Sequence, residues 1–121
     1  RQEFSVFSGD RFQGIVVQNL AIISFYPPDS SKGLDVYVQS YSQITDSMRT
    51  LKSNGIKHHI ISSDTQVELP PHLHGLTGTQ AVGGAYRSQD HIERLYTVLD
   101  WMNTFNLMAV QIASTSLKTG L

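Results

Sequence analysis

The stretch Gly14-Ile15-Val16-Val17-Gln18-Asn19-Leu20-Ala21-Ile22-Ile23-Ser24-Phe25-Tyr26 contains no charged residue and is rich in β-branched side chains. Such a run reads as a buried strand, or as two strands meeting at Gln18-Asn19. It stops at Pro27-Pro28-Asp29-Ser30-Ser31-Lys32-Gly33, because proline supplies no ladder donor and glycine allows a positive φ. Upstream, a short leading strand is expected over 4–7, closed by a turn at Ser8-Gly9-Asp10.

Downstream, Leu34 to Tyr41 alternates. Leu34, Val36 and Val38 point to one side and Asp35, Tyr37, Gln39 and Tyr41 to the other, which predicts a half-buried strand with Tyr37 and Tyr41 on its outward face. Ser42 is positioned to cap a following helix in which Ile44, Met48 and Leu51 recur at helical spacing, and Asn54-Gly55 is its natural stop. Residues 56–62 and 65–69 read as a hairpin turning at Ser63-Asp64. Residues 70–87 form a long loop rich in Gly, Pro and Thr. Ser88 is the N-cap of a second helix with Asp90 in its first turn, and Ile92, Leu95, Tyr96, Leu99 and Met102 supply its apolar stripe. Asn103 to Asn106 ends that helix, and 107–113 reads as a final strand.

The whole chain, 1–121, is thus expected to be one α+β domain: a mainly antiparallel sheet with two helices on one face. Its element order from Leu34 onward is the ferredoxin-like βαββαβ, preceded by an extra N-terminal strand. A length of 121 residues suits one domain. Because the chain opens on Arg1 and not Met, it is expected to be a fragment or processed part of a longer protein, which leaves its localisation open.

Ser, Thr, Gln and Asn occupy 36 of the 121 positions, whereas charged residues make up only 16% and the formal net charge is −1. A surface of hydroxyls and amides has weak long-range fields, so shape and short-range contact are expected to hold its partners. The basic residues are scattered, which makes nucleic acid an unexpected partner. Without cysteine, disulfides, thiolate metal sites and thiol catalysis are excluded. The longest apolar run, 14–25, is too short to span a bilayer.

Five histidines are the main reactive inventory. His58 and His59 are adjacent on a predicted strand, so their rings face opposite sides. His72-Leu73-His74 places two imidazoles on one side of an extended segment, where they can share a divalent metal. This His-apolar-His pattern resembles the metal motif of the HUH nucleases that initiate rolling-circle replication. The resemblance implies phosphodiester chemistry with His72 and His74 as metal ligands and Tyr86 or Tyr96 as the attacking tyrosine. No tyrosine-lysine helix motif of that family follows. Ile15-Val16-Val17-Gln18-Asn19-Leu20 partly resembles the first-strand motif of RNA-recognition domains, whose aromatic, basic second motif has no counterpart here.

The expected function is therefore a non-catalytic protein-protein interaction or assembly domain, able to self-associate, with no cofactor. Its candidate contact residues are His72, His74, Leu76 and Tyr86 of the long loop, with Tyr37 and Tyr41 on the sheet. The alternatives are a metal-dependent enzyme using His72 and His74, and a small-molecule binding domain with its pocket between sheet and loop.

Overall fold

A computed structural model describes residues 4–67 and 88–110. The fold is α+β, with a four-stranded mixed sheet and two helices. The elements run β1 (Phe4–Ser8), β2 (Phe12–Val17), β3 (Leu20–Phe25), α1 (Leu34–Ser53), β4 (His58–Ser63) and α2 (Gln89–Thr104). Spatial order follows chain order, β1-β2-β3-β4; the first two pairings are antiparallel and β3 pairs with β4 in parallel.

The uncharged stretch 14–26 is the centre of this sheet. It folds into the β2–β3 hairpin, with Val17 paired to Leu20 across the two-residue turn Gln18-Asn19. Gln18 adopts φ 57°, the positive value that a tight hairpin turn demands at its first position. Gly14 is required for a different reason: a Cβ there would lie 2.6 Å from the Phe7 ring and 2.7 Å from the Ile22 carbonyl oxygen. The segment that resembles an RNA-recognition first strand is therefore the turn of a hairpin with its flanks.

Leu34 to Tyr41 is helical, and this corrects the expected strand. Both periodicities fit those eight residues, but Tyr37, Tyr41, Ile44 and Met48 continue one helical stripe through the next segment, and all four are buried. Val36 and Val38, inward in the strand reading, are exposed at 41% and 42%. The ferredoxin-like order is lost with that strand, since the described elements run βββαβα. Helix α1 stops at Asn54-Gly55 as expected: Ile56 N–H bonds the Leu51 carbonyl, Gly55 N–H bonds that of Lys52, and Gly55 has φ 92°. This paired arrangement satisfies carbonyls that the helix end would otherwise orphan.

The expected hairpin at 56–69 does not form within the described residues. After β4, the Asp64 carboxylate accepts the Gln66 N–H and Gln66 takes φ 65°. The Tyr37 hydroxyl donates to the Thr65 carbonyl, so the chain turns toward α1 instead of back along β4. Residues 68–87 are outside the described set. Helix α2 starts as predicted, with Ser88 Oγ accepting the His91 N–H at 3.1 Å. It ends on Asn106 at φ 55°, with Leu107 N–H bonded to the Met102 carbonyl. Beyond it, Leu107 and Ala109 pack against the core while Met108 and Val110 are exposed, and residue 109 makes a β-bridge. This alternation is compatible with the strand expected over 107–113, but the described residues 107–110 form no strand and positions 111–113 lie outside the described set.

One buried cluster joins these elements. Phe12, Ala21, Ile23 and Phe25 from the sheet meet Tyr37, Tyr41, Ile44 and Met48 of α1 and Val98, Trp101 and Met102 of α2. The corrected helix is directly testable by chemical denaturation. Ile44→Ala, at a fully buried site, is expected to cost about 2–5 kcal/mol, whereas Val38→Ala, on the exposed side of α1, is expected to change stability by less than ~0.5 kcal/mol.

Candidate functional site

Strand alternation divides the sheet into two faces. Phe12, Ala21, Ile23 and Phe25 point toward the helices. The intervening positions point the other way, and the register aligns them in rows across the strands. Val6 is opposite Ile15, Ile15 opposite Ile22, and Ile22 opposite Ile60. Four branched aliphatic side chains thus form one row across all four strands. Val6 is 71%, Ile22 40% and Ile60 58% exposed. A parallel strand pair normally has both faces covered, yet among the described residues no element covers this one.

The neighbouring row is Ser8, Gln13, Ser24 and Ser62, in register across the same strands. On the other side of the apolar row lie Val17, Leu20 and His58. None of these open-face residues is Asp, Glu, Lys or Arg. An open groove of about 560 Å³ runs between the rows, lined by Val6, Ser8, Ile15, Ile22, Ser24 and Ser62. The hydroxyl and imidazole groups on this face are spread along the strands: Ser62 lies four residues beyond His58, about 13 Å away by strand rise, too far for a hydroxyl–imidazole hydrogen bond. The face offers contact area and hydrogen-bonding groups.

Tyr37 and Tyr41, expected on an outward sheet face, are instead buried on α1, and this is the second correction. Their hydroxyls lie 3.3 Å apart, and burial raises both pKa values. The Tyr41 ring meets Phe25 edge-on at 4.9 Å and Trp101 at 5.2 Å. Above Tyr37 sits Arg94 of α2, itself buried, with its guanidinium carbon 4.8 Å from the ring centroid. Arg94 Nε donates to Asp90 at 2.8 Å and Nη2 to the Lys32 carbonyl at 2.9 Å. This guanidinium ties the first turns of α2 to the loop entering α1. It does so through a planar fork that an ammonium lacks.

His72, His74, Leu76 and Tyr86 lie outside the described residues. Among the described residues, no group of three or more His, Cys, Asp or Glu is placed to hold a metal ion, and no helix is long and apolar enough to cross a membrane. His58 and His59 do take opposite faces. His58 is exposed, while His59 points to the helix side, its ring 6.0 Å from that of Phe105 and its Nε2 buried with no hydrogen-bond partner among the described residues. A scan against protein-family models, a search of curated proteins and a search of solved structures each found no match.

Two predictions follow from these buried polar groups. Arg94→Lys removes the fork and the flat cation over Tyr37, and is expected to destabilise the fold by about 1–3 kcal/mol in denaturant titration. For His59, desolvation is the main cause of a lowered pKa, with His58 and Lys52 adding to it. The unfolded chain therefore takes up this proton first, near the ordinary value of 6.5. Stability is full above that pH and declines as pH falls below it toward the folded value. A thermal unfolding series from pH 7.5 to 5 should show a falling midpoint, and His59→Gln should flatten the decline.

Proposed function

We propose that this chain is a non-catalytic protein-protein interaction domain, and that it binds through the open face of its sheet. The observation that carries the reading is the row Val6, Ile15, Ile22 and Ile60, which no described element covers, across a sheet whose other face is packed by α1 and α2. An exposed apolar row flanked on one side by Ser8, Gln13, Ser24 and Ser62 combines a centre that excludes water with a margin that can satisfy hydrogen bonds.

The chemistry of the face selects the partner. Among the described residues it carries no Asp, Glu, Lys or Arg with which to steer or neutralise a charged ligand, which favours a protein surface that is itself apolar at its centre. Full burial of a Val or Ile side chain stabilises by about 1.5–3 kcal/mol. Ile22 at 40% and Ile60 at 58% exposure have only part of that burial left to gain, so the row supplies the apolar centre of a contact and not its whole affinity. Ser8, Ser24 and Ser62 line the same groove, where their hydroxyls are available to set the orientation of the bound surface.

The test is a paired substitution. Ile22→Lys with Ile60→Lys places two charges in the row at positions the core does not use, so circular dichroism and the unfolding midpoint should remain near those of the wild type. Protein partners recovered from the native source and confirmed with purified components should lose at least tenfold in affinity to the double variant. They should bind His72→Ala/His74→Ala unchanged. Partners that bind both variants equally would place recognition elsewhere on the chain and overturn the proposal.

A further inference from the structure

The geometry points to a second copy of this chain as the occupant of the free edge of β1, with the two copies related by a two-fold axis through Val6. This proposal rests on the edge of the sheet and does not depend on what docks on its face. Among the described residues β1 borders only β2, and no described strand pairs with the backbone donors and acceptors of its other side, a template for another strand. Proteins usually blunt such an edge with lysine, proline, an inward charge or a bulge. The sequence of β1, Phe4-Ser5-Val6-Phe7-Ser8, has none of these side chains, and its register with β2 runs unbroken from Phe4 to Ser8.

The hydrogen-bond parity selects the axis. Gly9 N–H bonds the Phe12 carbonyl at 2.8 Å, so residue 9 belongs to a hydrogen-bonded pair with β2. In an antiparallel ladder these pairs alternate. Ser5 and Phe7 therefore direct their backbone groups inward to β2, while Phe4, Val6 and Ser8 direct theirs to the free edge. The next pairing agrees: Tyr26 N–H bonds the Arg11 carbonyl, which turns the odd-numbered residues of β2 toward β3.

Antiparallel pairing of β1 with its own copy can place Val6 opposite the second copy's Val6. Phe4 then falls opposite Ser8, and Ser8 opposite Phe4. All three outward-facing residues become hydrogen-bonded pairs, with two reciprocal bonds each; a shift of one step in either direction strands an end of the strand. The pairing brings no like charges together along β1, and a net charge of −1 leaves little repulsion between copies. It also joins the two apolar rows end to end, so Val6, Ile15, Ile22 and Ile60 of both copies cross one eight-stranded sheet. A strand pair alone is a small interface, so the dimer is expected to be micromolar or weaker.

The experiment uses the full chain in sedimentation equilibrium with increasing concentration. The mass should rise from monomer to dimer. Val6→Pro removes an edge N–H that the monomer does not use, and Val6→Lys sets two ammonium groups against each other at the axis. Both should remain monomeric with the wild-type unfolding midpoint, and Val6→Lys decides the matter should Val6→Pro disturb β1. The Ile22→Lys/Ile60→Lys variant should still dimerise, which separates edge pairing from face docking. Nitroxide labels at Ile60→Cys should lie about seven strand spacings apart, roughly 34 Å. A wild-type chain that stays monomeric to about 1 mM, a dimer untouched by Val6→Lys, or a much shorter label distance would each overturn the proposal.

Discussion

Phe25, the last residue of β3, meets Tyr41 of α1 edge-on at 4.9 Å and Trp101 of α2 at 5.6 Å, and Tyr41 and Trp101 meet each other at 5.2 Å. These three rings come from three elements and share one buried cluster, so the triangle determines how both helices lie on the sheet. Aromatic contacts of this geometry contribute about 0.5–1.5 kcal/mol each beyond the area they bury. The rest of the molecule follows from their placement. With Phe25, Ile23 and Ala21 directed into the cluster, Ile22 and Ser24 are directed out of it by the pleat alone. The open face is the unavoidable reverse of the core.

The same dependence explains the polar pins. Tyr37 stands one helical turn from Tyr41, and its hydroxyl, carried into the interior with it, bonds the Thr65 carbonyl and approaches the Tyr41 hydroxyl. Arg94 covers its ring and reaches the Lys32 carbonyl. Polar groups buried near an aromatic core need partners, and here those partners hold the entrance of α1, the exit of β4 and the first turns of α2 together.

Much of this was readable in the chain. Punctuation by residue type located Asn54-Gly55 and Asn106 as helix stops and Ser88 as the α2 cap, while Gln18-Asn19, open in the sequence to either one strand or two, proves to be the turn of the central hairpin. Each of these depends on a local conformation that few residues adopt. Leu34 to Tyr41 misled because eight residues suffice to satisfy two periods at once; the decision came from Ile44 and Met48 continuing the stripe of Tyr37 and Tyr41. The open face was hidden for a related reason. An uncharged run such as 14–26 suggests burial on both faces, and the serines and glutamine that mark the open side are scattered over four strands until the register aligns them. Parallel pairing of β4 with β3 was illegible as well, because no local residue encodes which neighbour a strand selects.

That parallel pairing has a consequence for how the chain acquires its structure. The β1–β2–β3 meander closes through short turns, but Leu20 must wait for His58, about 40 residues later, before β3 gains its second neighbour. Closing so long a loop is slow compared with forming a hairpin. During that interval Leu-Ala-Ile-Ile-Ser-Phe presents a bare, uncharged margin of high β-propensity to other nascent chains. Formation of α1 shortens the gap and brings β4 within reach. The long helix thus spans most of the sequence gap that separates β3 from its parallel neighbour, besides walling the finished core.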